Sequence, residues 1–285
     1  MATIFLNLQA KGGAGKSMLT YLQALKNQAN TNTAFVDLDN STRTSFHQLK
    51  FLDEETKELT ALRKKIDDLK REKEMAEQEP DSEFIVKALR TKIGNLEYQV
   101  SKDAGTARLY QLDINDSLKR IDREKFFSIV EALSKMNFEE VYIDFGAPES
   151  EQFPHLFLND FTPEEFKEFE NSIGTNIIFN CVVAGGAAYQ ACFEYLDNLV
   201  KKMSRFFQIR VYANQFFFFN ETVQLDFLRK YCKDNNLQLI EFGAFNTQQN
   251  SGQAIIENIK AGKGLADITG FAAKTILKRN LALLN

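Results

Sequence analysis

Tryptophan is absent from the chain, cysteine occurs three times and histidine twice. The cysteines, Cys181, Cys192 and Cys232, show no Cys-x-x-Cys spacing, and Cys181 sits in an apolar run as core filler. Zinc sites, iron–sulfur ligation and a disulfide framework are therefore without support. His47 and His155 are isolated in sequence and make no metal-ligand cluster. Positive charge is not in excess either. The net charge is −4, which argues against a generally basic nucleic-acid coat and leaves only a local basic patch open. No stretch approaches the roughly 20 apolar residues of a membrane span. The opening Met1-Ala2-Thr3-Ile4-Phe5-Leu6 carries no basic leader, and its apolar run is too short for a signal peptide, so the expected location is the cytoplasm. What is present is apolar bulk. Hydrophobic residues make up 44% of the 285, enough for a sizeable core in one large or two small α/β domains. Phenylalanine occurs 26 times, a bias that carries no functional meaning in the sequence alone.

Short apolar runs punctuate the chain. Thr3–Gln9 and Ala34–Asp39 read as strands, with a Gly-rich turn and a helical pattern from Ser17 to Gln28 between them. Further strands are expected at Leu109–Asp113, Val141–Asp144, Asn176–Val183, Ile209–Asn214 and Leu237–Phe242. Helical patterns separate most of them, which predicts an α/β fold with a mostly parallel sheet, helices on both faces, and ligands at the carboxyl ends of the strands. One segment breaks the rhythm. From Asp53 to Lys102 the chain is charged, with Leu59, Leu62, Ile66 and Leu69, then Val86, Leu89, Ile93, Leu96 and Val100, stepping by three and four around Glu79-Pro80-Asp81-Ser82. That pattern predicts a coiled-coil-like helical hairpin over 53–102, inserted into a body formed by 1–52 and 103–285; two ordinary surface helices packed on the body are the alternative. The hairpin's narrow apolar seam and many lysines and glutamates suit a protein partner.

The sharpest signal is Ala10-Lys11-Gly12-Gly13-Ala14-Gly15-Lys16-Ser17, between a strand and a helix. A tight Gly-rich turn aims backbone N–H groups at a phosphate, and the helix N-terminus adds partial positive charge. Gly12, Gly13, Ala14 and Gly15 would form the cradle, Lys16 would reach the β/γ-phosphates, and the Ser17 hydroxyl would ligate Mg²⁺.

This stretch resembles the deviant Walker A motif, KGGxGK[ST], of the ParA/MinD ATPases. The resemblance implies that Lys11 crosses a dimer interface to the partner's nucleotide, so dimerisation is expected to depend on ATP. Met18 stands where the family often has threonine, which removes a hydroxyl contact to the α-phosphate. Phe35-Val36-Asp37-Leu38-Asp39-Asn40 resembles the second signature, implying Asp37 near the Mg²⁺ shell and Asp39 positioning the attacking water. Val141-Tyr142-Ile143-Asp144-Phe145-Gly146 resembles Walker B, with Asp144 holding a Mg²⁺-bound water. Ile209–Asn214 resembles the strand ending at the base-reading asparagine, so Asn214 is expected to pair with adenine. The guanine-reading Asn-Lys-x-Asp pattern is missing, which favours ATP over GTP. Ala254–Ile268, with Ala261-Gly262-Lys263-Gly264, resembles the family's late helix and loop.

Three functions follow from the resemblance and its rivals. The first is a ParA-like switch with slow ATP hydrolysis that maintains, partitions or transfers DNA. The second is a MinD-like membrane positioner. The third is a metabolic P-loop ligase of the dethiobiotin or cobyrinate synthetase type, for which no acceptor-substrate motif is present. Lys260, Lys263, Lys274, Lys278 and Arg279 crowd the C-terminal segment. They suit nonspecific DNA, an amphipathic helix on anionic lipid, or a terminal helix docked on the body with its lysines in solvent. Thr162-Pro163-Glu164-Glu165 predicts a capped helix start, and Phe216–Phe219 is core or an apolar surface.

Overall fold

The computed structural model describes residues 2–39, 44–78, 82–103, 107–159 and 161–284. In chain order the elements are β1 (Ala2–Leu8), α1 (Lys16–Asn27), β2 (Thr33–Asp37), α2 (Thr44–Gln48), α3 (Lys50–Ala76), α4 (Glu83–Asp103), β3 (Arg108–Gln111), α5 (Arg123–Ser134), β4 (Glu140–Asp144), α6 (Ala147–Asn159), α7 (Pro163–Ser172), β5 (Thr175–Ala184), α8 (Tyr189–Met203), β6 (Gln208–Asn214), α9 (Gln215–Phe218), α10 (Thr222–Asp234), β7 (Gln238–Phe242), α11 (Asn250–Lys260) and α12 (Phe271–Ala282). The strands form one sheet in the order β3-β2-β4-β1-β5-β6-β7, and every pairing is parallel. Each expected strand is present within two residues of its predicted bounds. The apolar runs read as near-continuous because a parallel sheet is covered on both faces.

Alternation along the strands divides the core in two. Ile4, Leu6 and Leu8 of β1 face one layer, shared with Phe126, Phe153, Phe166, Leu196 and Leu228 from α5, α6, α7, α8 and α10. Phe5 faces the other, with Leu22, Ile255 and Leu277 from α1, α11 and α12. The first layer accounts for much of the phenylalanine excess. Its rings meet edge to face, as in Phe127–Phe169 at 4.6 Å and Phe126–Phe153 at 5.9 Å, the arrangement favoured by the ring quadrupole. Thr162 caps α7 as expected: its hydroxyl accepts from the Glu165 N–H at 3.2 Å, and Glu165 accepts from the Thr162 N–H at 2.7 Å. All three cysteines are buried thiols.

Strand register lines up one polar row near the carboxyl edge. Asp37 pairs with Asp144, Asp144 with Asn7, Asn7 with Asn180, and Asn180 with Arg210. Residues in register on neighbouring parallel strands share a face, here the α1 face. The next position toward the amino end, Val36, Ile143, Leu6, Phe179 and Ile209, faces the aromatic layer.

Helix α3 leaves the body through Phe51 and Leu52, both buried in the second core, and α4 packs chiefly against α3. Ion pairs Lys70–Glu97 (2.8 Å) and Arg90–Glu77 (3.2 Å) run in opposite residue order, so the two helices are antiparallel. Ile66, Leu89 and Ile93 are buried between them, with Leu62, Leu69, Val86 and Leu96 half-buried. Glu79, Pro80 and Asp81 of the expected turn lie outside the described residues, as do the side chains of Leu59 and Val100. The far end of the pair exposes Met75, Phe84 and Ile85. No helix among the described residues is long and apolar enough to cross a membrane.

Candidate functional site

The Gly-rich turn joins the central strand β1 to α1, which puts it at the middle of the carboxyl edge. Gly13 (φ 77°) and Gly15 (φ 104°) adopt left-handed backbone that other residues resist. Gly15 is also a close approach, since a Cβ there would overlap the Asn214 carboxamide. Gly12 and Gly13 are exposed, whereas Ala14 is buried. A cavity of about 350 Å³ opens over the turn, bordered by Gly12–Met18, Asp39, Thr44, Gln48 and Phe145–Ala147.

The expected cation and carboxylates meet here. Lys16 is buried, and its Nζ donates to the Gln9 carbonyl at 2.6 Å. Burial pulls its pKa down, partly offset by the charges of Asp144 and Asp39. Asp144 is fully buried; its Oδ2 accepts from Ser17 Oγ at 3.2 Å and from Ser45 Oγ, while its Oδ1 has no donor among the described residues. Asp37 accepts from the N–H groups of Asp39 (2.8 Å) and Phe46 (2.7 Å). Burial pushes both carboxyls up, with added repulsion from neighbouring carboxylates: Asp37 to about 7 and Asp144 to about 6, the latter restrained by Lys16 and the two serines. Asp37 thus braces the chain between β2 and α2, and Asp39 reaches the cavity. Lys11 is exposed on the turn, and its backbone N–H donates to Gln9 Oε1 at 3.0 Å.

Asn214, the expected base-reading residue, lies at the carboxyl end of β6. It is fully buried; its Nδ2 donates to the Ala14 carbonyl at 3.0 Å and its Oδ1 accepts from the Phe216 N–H at 3.2 Å. As placed, the carboxamide ties the end of β6 to the phosphate turn, because α9 starts immediately after it and needs a cap. Beyond it, a cavity of about 320 Å³ lies between α9 and the loop after β7, bordered by Phe216, Phe219 and Phe245. Met18 touches that loop from below, since a Cβ on Gly243 would crowd its Cε.

Several residues that support the site carry no motif. Asn7 donates to Thr20 Oγ1 (2.9 Å) and Gln23 Oε1 (2.8 Å) and accepts from Asn180 (2.9 Å), all buried. Gln9 spans from the Lys11 N–H to the Val182 carbonyl at 2.7 Å. The available signal is a polar residue inside an apolar strand, where an unpaired amide would be costly. Ser45 has no such signal.

The donor set fits a magnesium ion. Mg²⁺ keeps several waters and takes one or two protein oxygens beside phosphate; Ser17 Oγ and the orphaned Asp144 Oδ1 supply hard oxygens, and two carboxyls with raised pKa values gain from a nearby cation. Among the described residues no group of three or more His, Cys, Asp or Glu is placed to hold a metal ion.

No family model matches the chain, and no curated protein matches it. Among solved structures, it is similar to the MinC:MinD cell division protein complex of Aquifex aeolicus, with 12% identity and a TM-score of 0.49 over 100% of this chain and 96% of that one. It is also similar to the MinD cell division protein of Aquifex aeolicus, with 13% identity and a TM-score of 0.43, over 100% and 97% respectively. At that level neither bears on what this chain binds.

Proposed function

We propose that this chain is an ATP-dependent dimerising switch of the ParA/MinD type, with slow hydrolysis, acting on DNA. The observation that supports it most is the convergence of Lys16, Ser17, Asp39 and Asp144 on one phosphate-sized turn while Lys11 stays outside. Lys16 faces inward to neutralise phosphate charge. Ser17 and Asp144 would hold Mg²⁺, whose charge would offset the negative charge that grows on the phosphate. Asp39 orients the attacking water, and Lys11 is free to reach the nucleotide of a second copy, which rewards association only when phosphate is bound. The cavity beside Asn214 takes the adenine between aromatic side chains.

Lys260, Lys263, Lys274, Lys278 and Arg279 are all exposed, and a dimer doubles this basic surface into one suited to a phosphate backbone. DNA is favoured over membrane because α12 and the turn after it commit part of their apolar side chains to the body, leaving Phe271 and Leu283 exposed. Ala273, Leu277 and Leu284 are buried against the body, and Asn280 Oδ1 accepts from the Gly243 N–H at 2.9 Å. The α3–α4 pair offers a protein partner the apolar end formed by Met75, Phe84 and Ile85.

Titration calorimetry with Mg·ATP tests the central claim. Lys16→Ala is expected to lose binding by about 100-fold or more. Lys11→Ala is expected to bind ATP yet remain monomeric by light scattering on an Asp39→Ala background. Wild-type hydrolysis by Lys16→Ala overturns the reading.

A further inference from the structure

We propose that the tip of the α3–α4 pair is a docking site for a basic, amphipathic segment of a partner protein. This rests on the reading of the pair as a partner-binding arm and does not depend on nucleotide. The seam that joins the two helices runs along α4 through Val86, Leu89, Ile93 and Leu96, all buried or half-buried. Phe84 and Ile85 lie off that seam in the first turn of α4, 84% and 51% exposed. Met75, in the last turn of α3, is 71% exposed. In water these side chains add nothing to the pairing of the helices. Covered by a partner, they would stabilise the contact through the apolar area removed from water.

The charge at the same end selects the partner. Glu72, Glu74 and Glu83 are exposed and make no ion pair among the described residues. Glu77 is committed to Lys73 at 3.4 Å and to Arg90 at 3.2 Å. Lys87, one turn into α4 from Glu83, is exposed and outnumbered. The sequence that joins the helices adds Glu79 and Asp81 and no cation. Earlier in α3, Arg63, Lys64 and Lys65 precede Asp67 and Asp68, so the acidic excess belongs to the end of the pair. An end that is both apolar and acidic discriminates among occupants. Nucleic acid and anionic lipid would bring phosphate against carboxylate. Two tips meeting end to end would oppose like charges. A protein segment with apolar anchors beside lysine or arginine meets both demands. Its anchors cover Phe84 and Ile85, and its cations face the unpaired carboxylates, which also speeds encounter. Met75 lies roughly 35 Å along α3 from Leu52, so the tip and the phosphate turn can be tested separately.

Three fluorescent peptides of about 18 residues serve as probes on the full chain, with binding read by anisotropy. One carries leucine and lysine at amphipathic helical spacing, one leucine and glutamate at the same positions, and one serine and lysine. The leucine–lysine peptide is expected to bind at least about tenfold more tightly than either other peptide, with affinity falling as salt rises from about 50 to about 300 mM. Phe84→Ala with Ile85→Ala keeps good helix formers in the first turn of α4 and is expected to weaken binding by about tenfold. Glu72→Gln with Glu74→Gln and Glu83→Gln is expected to weaken it by about fivefold and to flatten the salt dependence. Circular dichroism and melting temperature check the fold of both variants, and Mg·ATP affinity is expected to match wild type in both. Should the first variant unfold, the second alone decides. Equal binding by wild type and the folded variants overturns the proposal. Absence of binding, preference for the leucine–glutamate peptide, or stronger capture by phosphatidylserine vesicles does the same. Self-association of the chain that these substitutions abolish assigns the tip to a second copy, and also overturns it. A wild-type chain that takes the peptide at its tip yet binds no Mg·ATP overturns the ATPase reading and leaves this one standing.

Discussion

The carboxyl edge of the sheet and the α3–α4 pair are both rich in polar side chains, and they hold them in opposite ways. At the edge the polar groups are buried, and their partners come from far along the chain: Gln9 reaches Val182, and Asn180 reaches Asn7. In the helical pair the charges are exposed, and the buried part is a narrow seam around Ile66, Leu89 and Ile93. In a low-dielectric interior each unmet hydrogen bond is expensive, whereas an exposed ion pair contributes little. Chemistry is therefore concentrated where register is long-range and errors are costly. The helical pair is locally specified and energetically lenient, which suits a recognition arm.

Breaking the edge should have the largest effect. Asn7→Leu leaves Thr20, Gln23 and Asn180 short of partners beneath the phosphate turn, and is expected to lower unfolding free energy by about 3 kcal/mol. Urea unfolding checks this, and a loss below about 1 kcal/mol would show that the amide row is incidental.

A smaller effect comes from the carboxyls. Asp37 and Asp144 bind a proton more tightly in the folded chain than in the unfolded one, since their pKa values rise to about 7 and about 6. Folding then takes up protons, and stability falls as pH rises from the unfolded carboxylate range through those values. Without nucleotide, the melting temperature is expected to be higher near about pH 5.5 than near about pH 8 by on the order of 5 °C. Asp37→Asn should remove much of that slope; parallel curves for the two proteins would assign the dependence to other groups.

The smallest effect is expected on the other side of the comparison. Replacing residues 53–102 by a short Gly-Ser linker should leave Mg·ATP affinity within about threefold, and Arg90→Ala should change stability by less than about 0.5 kcal/mol. Loss of ATP binding in a soluble deletion protein would show that the helical pair completes the active site.

The sequence was most legible where pattern and chemistry coincide. Seven apolar runs became seven strands, and the Gly-rich turn with Lys16 and Ser17 lies where a strand–turn–helix reading puts it. The paired seam of α3 and α4 follows from steps of three and four residues. Other features depend on pairing partners that no local window contains. Asn7 and Asn180 look like isolated polar residues in apolar strands until β1 and β5 lie side by side. The bond from the Asn214 amide to the Ala14 carbonyl likewise joins residues that no local window contains. The phenylalanine excess had no period to betray it, because its rings come from several helices that meet only across one face.

The polar row running from Asp37 through Asp144, Asn7 and Asn180 to Arg210 also guards the assembly of the sheet. Side chains alternate strictly between faces, so sliding β1 by one residue would turn Asn7 toward the phenylalanine layer and bring Leu6 to the amide network. Such a mispaired sheet would bury an amide among aromatic rings with nothing to bond, while Thr20 and Gln23 lost their partner. Parallel strands that meet late and from far along the chain are prone to wrong alignments. Here the buried polar groups beside the Gly-rich turn also act as a proofreading key that rejects misaligned sheets.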